Sequence, residues 1–318
     1  MAGTGRTPLV AWALLALPVS FWGGGYAATS IATAHTSGLF LAGLRCVPSL
    51  VALPLMLLAV RGRLPRGAAL RGAAISGLLV VTVFFIGISE GTRLAGAANA
   101  AVLIAASPLW VAVLGRAFLG ERIRPGAAAG LLLGFAGIVL MVSRQLGGSH
   151  RASDLALGIG LAAAAGLAWA TATLVVRRLA VRDPKLDFIG LSVAQYLVGG
   201  PPLIIAALAV KGTGGTDWGS ADLWGATLWL AIGSSAIATV AFFMSLRWLD
   251  AAKTSSSQFL VPVIALVVEL VRGHARQREA ARRMAVAIGG VALVVAGDRL
   301  LDARAARRRP PAAPGAPA

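Results

Sequence analysis

The chain has 318 residues; 58% are hydrophobic, 13% are charged, and the mean hydropathy is +0.81. A soluble domain carries about 25% charged residues, so the composition excludes a disordered chain and argues against a soluble enzyme. The formal net charge of +17 raises nucleic acid as a partner, yet the arginines sit between long apolar runs, where a membrane topology signal belongs, and no nucleic-acid partner is expected.

A bilayer core about 30 Å thick takes about 20 apolar residues of helix. In chain order, ten stretches approach that length: Leu9–Ala32, Leu39–Val60, Gly72–Glu90, Ala95–Phe118, Gly126–Ser143, Leu155–Val176, Phe188–Val210, Leu223–Leu246, Thr254–Val271 and Met284–Leu301. The pattern predicts an all-α polytopic membrane protein of ten transmembrane helices, with the lipid bilayer as its solvent. The first run is longer than a signal-peptide core and is read as a helix. The single cysteine, Cys46, falls in the second run and permits no intramolecular disulfide and no cysteine zinc site. His35, His150 and His274 have no metal-ligand spacing, and no P-loop is present, so no metal and no cofactor are expected. The tail 302–318, basic and then rich in Pro and Ala, reads as disordered and cytoplasmic.

Lys and Arg concentrate in cytoplasmic loops. With the N-terminus inside, the inner segments hold 19 Lys and Arg and the outer segments 9, with Arg45 inside the second run. This bias predicts a multi-pass protein of the cell (inner) membrane with both termini cytoplasmic. The loop with Arg272, Arg276, Arg278, Arg282 and Arg283 breaks the rule. Either the earlier loops dominate the topology, or one helix is miscounted; a basic outer loop also attracts anions.

The chain reads as a duplication. Trp22 in run one matches Trp169 in run six, Ser107-Pro108-Leu109 in run four matches Val261-Pro262-Val263 in run nine, and Gly137-Ile138-Val139-Leu140 matches Gly290-Val291-Ala292-Leu293. Pro108 stands 29 residues before Gly137, and Pro262 stands 28 before Gly290. An odd number of helices per copy inverts the second copy in the membrane, the architecture of many secondary transporters. The expected division is a first five-helix repeat at 9–143 and a second at 155–301.

Together with Ala95-Gly96-Ala97-Ala98-Asn99, the Leu119-Gly120-Glu121 close of helix four and the glycines Gly130, Gly134 and Gly137, these residues resemble the EamA-type members of the drug/metabolite transporter superfamily. The resemblance runs over roughly residues 10–300 and rests on the co-linear set. It implies ten helices, cytoplasmic termini, a central cavity, and export or import of small metabolites, amino acids included. Two departures matter. Ser30 stands where many members have a lysine late in helix one, and Arg272-Gly273-His274 replaces the Leu-Gly-Glu close in the second half.

Several residues are candidates for chemistry. Glu269 shares a face of helix nine with Ser255, Gln258, Pro262 and Ala265, at steps of three and four. An ionisable group within a membrane helix is a functional candidate, here for carrying a proton; the alternative is an interfacial pair with Arg272. Arg45 either holds a substrate carboxylate or snorkels to the interface. Trp22, Tyr26, Trp110 and Trp169 either line a pocket for flat apolar or cationic groups or join the interfacial aromatic belt. Asn99, Gln195 and Tyr196 contact substrate or bond a neighbouring helix. Pro108 and Pro262 each remove a backbone donor within a helix and mark kinks at matched points of the two halves. Glu90 and Arg93 read as an exposed structural pair, and Glu121 as a structural or gating charge.

The expected function is secondary transport of a small organic metabolite (an amino acid, amine or drug-like compound) by alternating access with proton coupling or exchange. The rivals are a non-transporting membrane scaffold and, with no nucleophile or metal motif in view, a membrane-embedded enzyme.

Overall fold

The computed structural model describes residues 9–95, 97–121, 123, 125–142 and 152–271. All regular structure among them is helical. In chain order the helices are α1 (Leu9–Thr33), α2 (Gly38–Leu44), α3 (Cys46–Ala59), α4 (Gly67–Gly77), α5 (Phe84–Ala95), α6 (Ala97–Ala105), α7 (Ser107–Leu119), α8 (Pro125–Val142), α9 (Ala152–Arg182), α10 (Phe188–Lys211), α11 (Ala221–Leu228), α12 (Ala238–Ser245), α13 (Ala251–Ser256) and α14 (Val261–Val271). Wider π turns at Leu78–Val83 and Trp229–Ile237 join α4 to α5 and α11 to α12, and a 3₁₀ turn at Ser257–Leu260 joins α13 to α14.

Seven helical spans among the described residues are long and apolar enough to cross a membrane. They are Leu9–Thr33, Gly38–Ala59, Gly67–Ala95, Val102–Leu119, Ala152–Arg182, Phe188–Lys211 and Ala221–Ser245. They correspond to the first four, sixth, seventh and eighth apolar runs. The fifth run is α8, whose apolar stretch Pro125–Ala136 is shorter; the ninth is the α13–α14 pair, and the tenth lies outside the described residues.

Polar caps fix where the helices start. Ser37, Asp187, Ser220 and Asp250 each accept a backbone N–H from the first turn of the helix that follows, at 2.8–3.2 Å. Each satisfies a donor that has no partner inside the helix. At the other end of α7, Gly120 turns the chain with φ 66°, a left-handed conformation that suits glycine.

The helices pack across the midpoint of the chain. Helix α1 lies against α11, the second π turn, α12 and α14; α9 lies against α4, the first π turn, α5, α6 and α7. Helix α10 packs on α2, α3, α4 and the first π turn, and α3 packs on the second. Small residues allow this. A Cβ added at Gly77 would sit 2.5 Å from the Gln195 carbonyl oxygen, so α4 and α10 touch backbone to backbone. Leu53, Trp169, Leu191, Tyr196, Leu203, Phe242 and Phe243 fill the shared core.

Candidate functional site

At the centre of the bundle, five aromatic side chains from four elements enclose one another. Trp22 of α1 meets Trp169 of α9 edge to face, with ring centroids 5.3 Å apart at 83°. Phe242 lies 5.3 Å from Trp22 and 5.5 Å from Trp169. Phe84 stands 5.2 Å from Trp169, and Phe243 stacks on the same indole at 6.3 Å and 20°. Centroid distances of 4.5–7 Å with tilted or edge-on rings are the favoured aromatic geometry.

The two indoles differ in one respect. Trp22 donates its Nε1–H to the Ser234 carbonyl at 2.9 Å. Trp169 is 6% exposed, and its Nε1 has no hydrogen-bond partner among the described residues. A buried donor without a partner costs about 1–3 kcal/mol, and more where lipid replaces water outside the bundle. It is therefore a donor available to an incoming acceptor.

Arg45 reaches the edge of this box. It occupies the break between α2 and α3, where Pro48, lacking an N–H, comes at the third position after it. Its Nε and Nη2 donate to Ser235 Oγ at 3.0 and 2.6 Å, and Nη2 also donates to the Leu230 carbonyl at 3.2 Å. The guanidinium lies 4.3 Å above the Phe85 ring, next to Phe84 of the box. None of its partners among the described residues is a carboxylate, so its charge is held by dipoles and a ring face. The second π turn supplies these acceptors: its carbonyls at Leu230, Ala231 and Ser234 accept from Arg45, Ser49 and Trp22.

The other sequence candidates fall in several places. Gln195 is fully buried and donates to Ser76 Oγ at 2.8 Å, while its Oε1 has no partner among the described residues. Tyr196, beside it, is 2% exposed. Asn99 donates back to the Ala95 carbonyl at 2.7 Å, a bond local to its own helix. Tyr26 and Trp110 are 50% and 43% exposed in the described bundle. Gln258 accepts from Ser107 Oγ at 3.4 Å, which joins the 3₁₀ turn to the start of α7. Pro108 and Pro262 are each the second residue of a helix, α7 and α14, just past a break. Glu269 lies on α14, and its side chain falls outside the described residues.

Sequence reasoning missed the phenylalanines and the serines of the π turn. A signal was present for the former: the Phe-Phe pair at 84–85 in the third run recurs at 242–243 in the eighth.

One end of the bundle is held together by charged contacts. Glu121, after α7, pairs with Arg177 of α9 at 3.0 Å and accepts the Ala251 N–H at 3.3 Å. Arg177 also donates to the Leu246 carbonyl. Arg247 donates to the Leu186 carbonyl at 2.7 Å and lies over Phe188, and Asp187 accepts the Arg63 N–H at 2.8 Å. At the opposite end, His35 approaches Asp217 at 3.4 Å and Thr36 meets Thr216 at 2.9 Å.

The model of the EamA-like transporter family matches residues 10–143 and again 156–296. The chain is 27% identical over 309 residues to a probable terminal-alkyne amino-acid exporter of Streptantibioticus cattleyicolor, covering 96% of this chain and 97% of that one. It is 30% identical over 203 residues to the aromatic amino acid exporter YddG of Ancylobacter novellus, covering 63% and 68%. A solved crystal structure superposes with a TM-score of 0.77 at 22% identity, covering 92% of this chain and 98% of that one, which shows a shared fold. The names of family and relatives point to transporters rather than enzymes.

Proposed function

The chain belongs to the EamA-like transporter family, and from that membership we propose that it is a secondary transporter for an amino acid, or a close analogue, with a flat apolar side chain. One observation carries this reading: the unpartnered Trp169 N–H lies inside an aromatic box with Arg45 beside it. The rings touch one another here, so a flat apolar group enters by taking the place of one of them as the bundle opens, and Arg45 and the indole N–H suit its carboxylate. Two relatives carry amino-acid exporter in their names, in keeping with this substrate class.

The architecture we propose is ten transmembrane helices in two inverted repeats, 9–143 and 155–301, in the cell membrane with both termini cytoplasmic. Three features support it. The family model matches twice, a π turn interrupts the third span of each half, and the packing of α1 on α11–α12 and α14 parallels that of α9 on α4–α5 and α7. Alternating access then opens one end at a time. Trp22, Arg45, Trp169, Gln195 and Tyr196 are the proposed substrate contacts from the central region, and Gln258 joins them from the break in helix nine. Pro108 and Pro262 set the breaks, and Glu269 is the proposed proton carrier for coupling or exchange.

The test is flux in proteoliposomes containing the purified protein. Aromatic amino acids, aliphatic amino acids and amines are compared, with and without a pH gradient. Saturable flux of aromatic amino acids is expected, and Glu269→Gln is expected to abolish gradient-driven accumulation while sparing binding. Flux of amines without amino acids overturns the substrate class; retained gradient dependence in Glu269→Gln removes the proton role.

A further inference from the structure

A cleft of about 210 Å³ lies at the end of the bundle opposite the Glu121–Arg177 pair. It is formed by Ser37 and Gly38 at the start of α2, Ser89, Glu90 and Arg93 near the end of α5, and Lys211 at the end of α10. Leu39 adds an apolar wall. Arg93 pairs with Glu90 through Nε, and its side chain is half exposed. Lys211 has no ion pair among the described residues. Two cations and one anion therefore line the cleft, an excess of one positive charge.

Its depth is marked by tryptophan. Trp218 packs edge-on against Phe40 of α2 at 5.8 Å, and Trp224 donates to the Trp218 carbonyl at 3.0 Å. Both indoles are partly exposed, the behaviour of residues at headgroup level. A mostly apolar cleft at that level, with Lys211 and Arg93 among its lining residues, matches an acyl-chain anchor that carries a phosphate diester at the rim.

We propose that this cleft binds the phosphate of a membrane phospholipid, with Lys211 and Arg93 as its charged contacts and the Ser89 hydroxyl as a further donor. Glu90 orients Arg93 through its Nε, which leaves the terminal nitrogens for the ligand. The site is separate from the aromatic box, and the proposal rests only on the chain lying in a membrane.

The test is thermal denaturation of the purified full-length protein in a maltoside detergent, titrated with short-chain phosphatidylglycerol. The matching diacylglycerol and free glycerol phosphate serve as the other probes. Stabilisation by the phospholipid and not by the diacylglycerol is expected. Lys211→Gln should weaken it about tenfold, the loss of a charge-assisted bond. Gly38→Leu provides a second variant, because a Cβ at Gly38 meets nothing within 4 Å and a larger side chain there obstructs the cleft without a clash at its first atom. Equal stabilisation by diacylglycerol, or an unchanged response in both variants, overturns the site. A response to glycerol phosphate as strong as to the lipid overturns the lipid assignment in favour of a soluble phosphate. Transport plays no part in the readout, so failure here leaves the transport reading untouched, and the reverse holds.

Discussion

Replacing Glu121 with Gln removes one charge from the tie between α7, α9 and the segment before α13. The Glu121 and Arg177 side chains are 21% and 17% exposed, so the pair is mostly out of water. A hydrogen bond to a charged group contributes about 1.5–3 kcal/mol and a neutral one about 1 kcal/mol. Gln offers one acceptor oxygen where Glu121 uses two, so the variant loses the charge on the Arg177 bond and the bond from the Ala251 N–H, about 2.5 kcal/mol together, or roughly sixtyfold in the equilibrium of this end against opening. Thr254 reports that equilibrium. It lies one turn into α13, is fully buried, and its hydroxyl has no partner among the described residues, so Thr254→Cys breaks no hydrogen bond among them. The native cysteine, Cys46, is buried and gives little background. Thiol labelling of Thr254→Cys in detergent should run roughly sixtyfold faster when Glu121→Gln is added. An unchanged labelling rate, in a variant whose Tm has fallen, would show that the pair holds the fold together and does not gate access.

Three other outcomes follow from the same geometry. Trp169→Phe keeps a ring in the box and deletes the unpartnered N–H; KM for the transported amino acid should rise about tenfold with kcat little changed, and an unchanged KM would exclude the N–H as a substrate contact. Arg45→Gln should abolish the preference for an amino acid over its uncharged amide in competition assays; a preserved preference would place the carboxylate elsewhere. Gly77→Ala places a methyl 2.5 Å from the Gln195 carbonyl oxygen, which should cost about 2 kcal/mol and lower Tm by several degrees, and an unshifted Tm would mean that α4 and α10 separate freely.

The apolar runs were legible because a helix in lipid satisfies its own backbone and needs only length and hydropathy. Their ends were less so. Run six was read as 155–176, but α9 continues to Arg182, because Arg177 is taken up by Glu121 while Arg178 and Arg182 face outward, and none of them breaks the helix. Trp22, Trp169 and Arg45 stood out as rare residue types inside apolar runs, and the structure brings Trp22 and Trp169 together with Arg45 nearby. Phe84, Phe85, Phe242 and Phe243 did not stand out, since phenylalanine is ordinary lipid-facing material until packing assigns it inward. Ser234 and Ser235 were equally silent: their role depends on the π turn that presents them, and no local residue pattern marks that turn. Tyr26 and Trp110 carry the same chemistry as the boxed indoles, yet are exposed in the described bundle; helix rotation, which hydropathy leaves undetermined, separates the two sets.

Rotation leads back to the π turns. Each turn takes in about one residue beyond the regular period, and one residue is about 100° of an α-helix. A helical wheel drawn through Gly67–Ala95 or Ala221–Ser245 therefore slips phase at Leu78–Val83 and at Trp229–Ile237. Positions before and after the slip that share a spoke on paper point to different neighbours in the molecule. Scanning mutagenesis of these two spans has to be plotted on two wheels each, with the zero of the second set by Phe84 in one span and by Phe242 in the other.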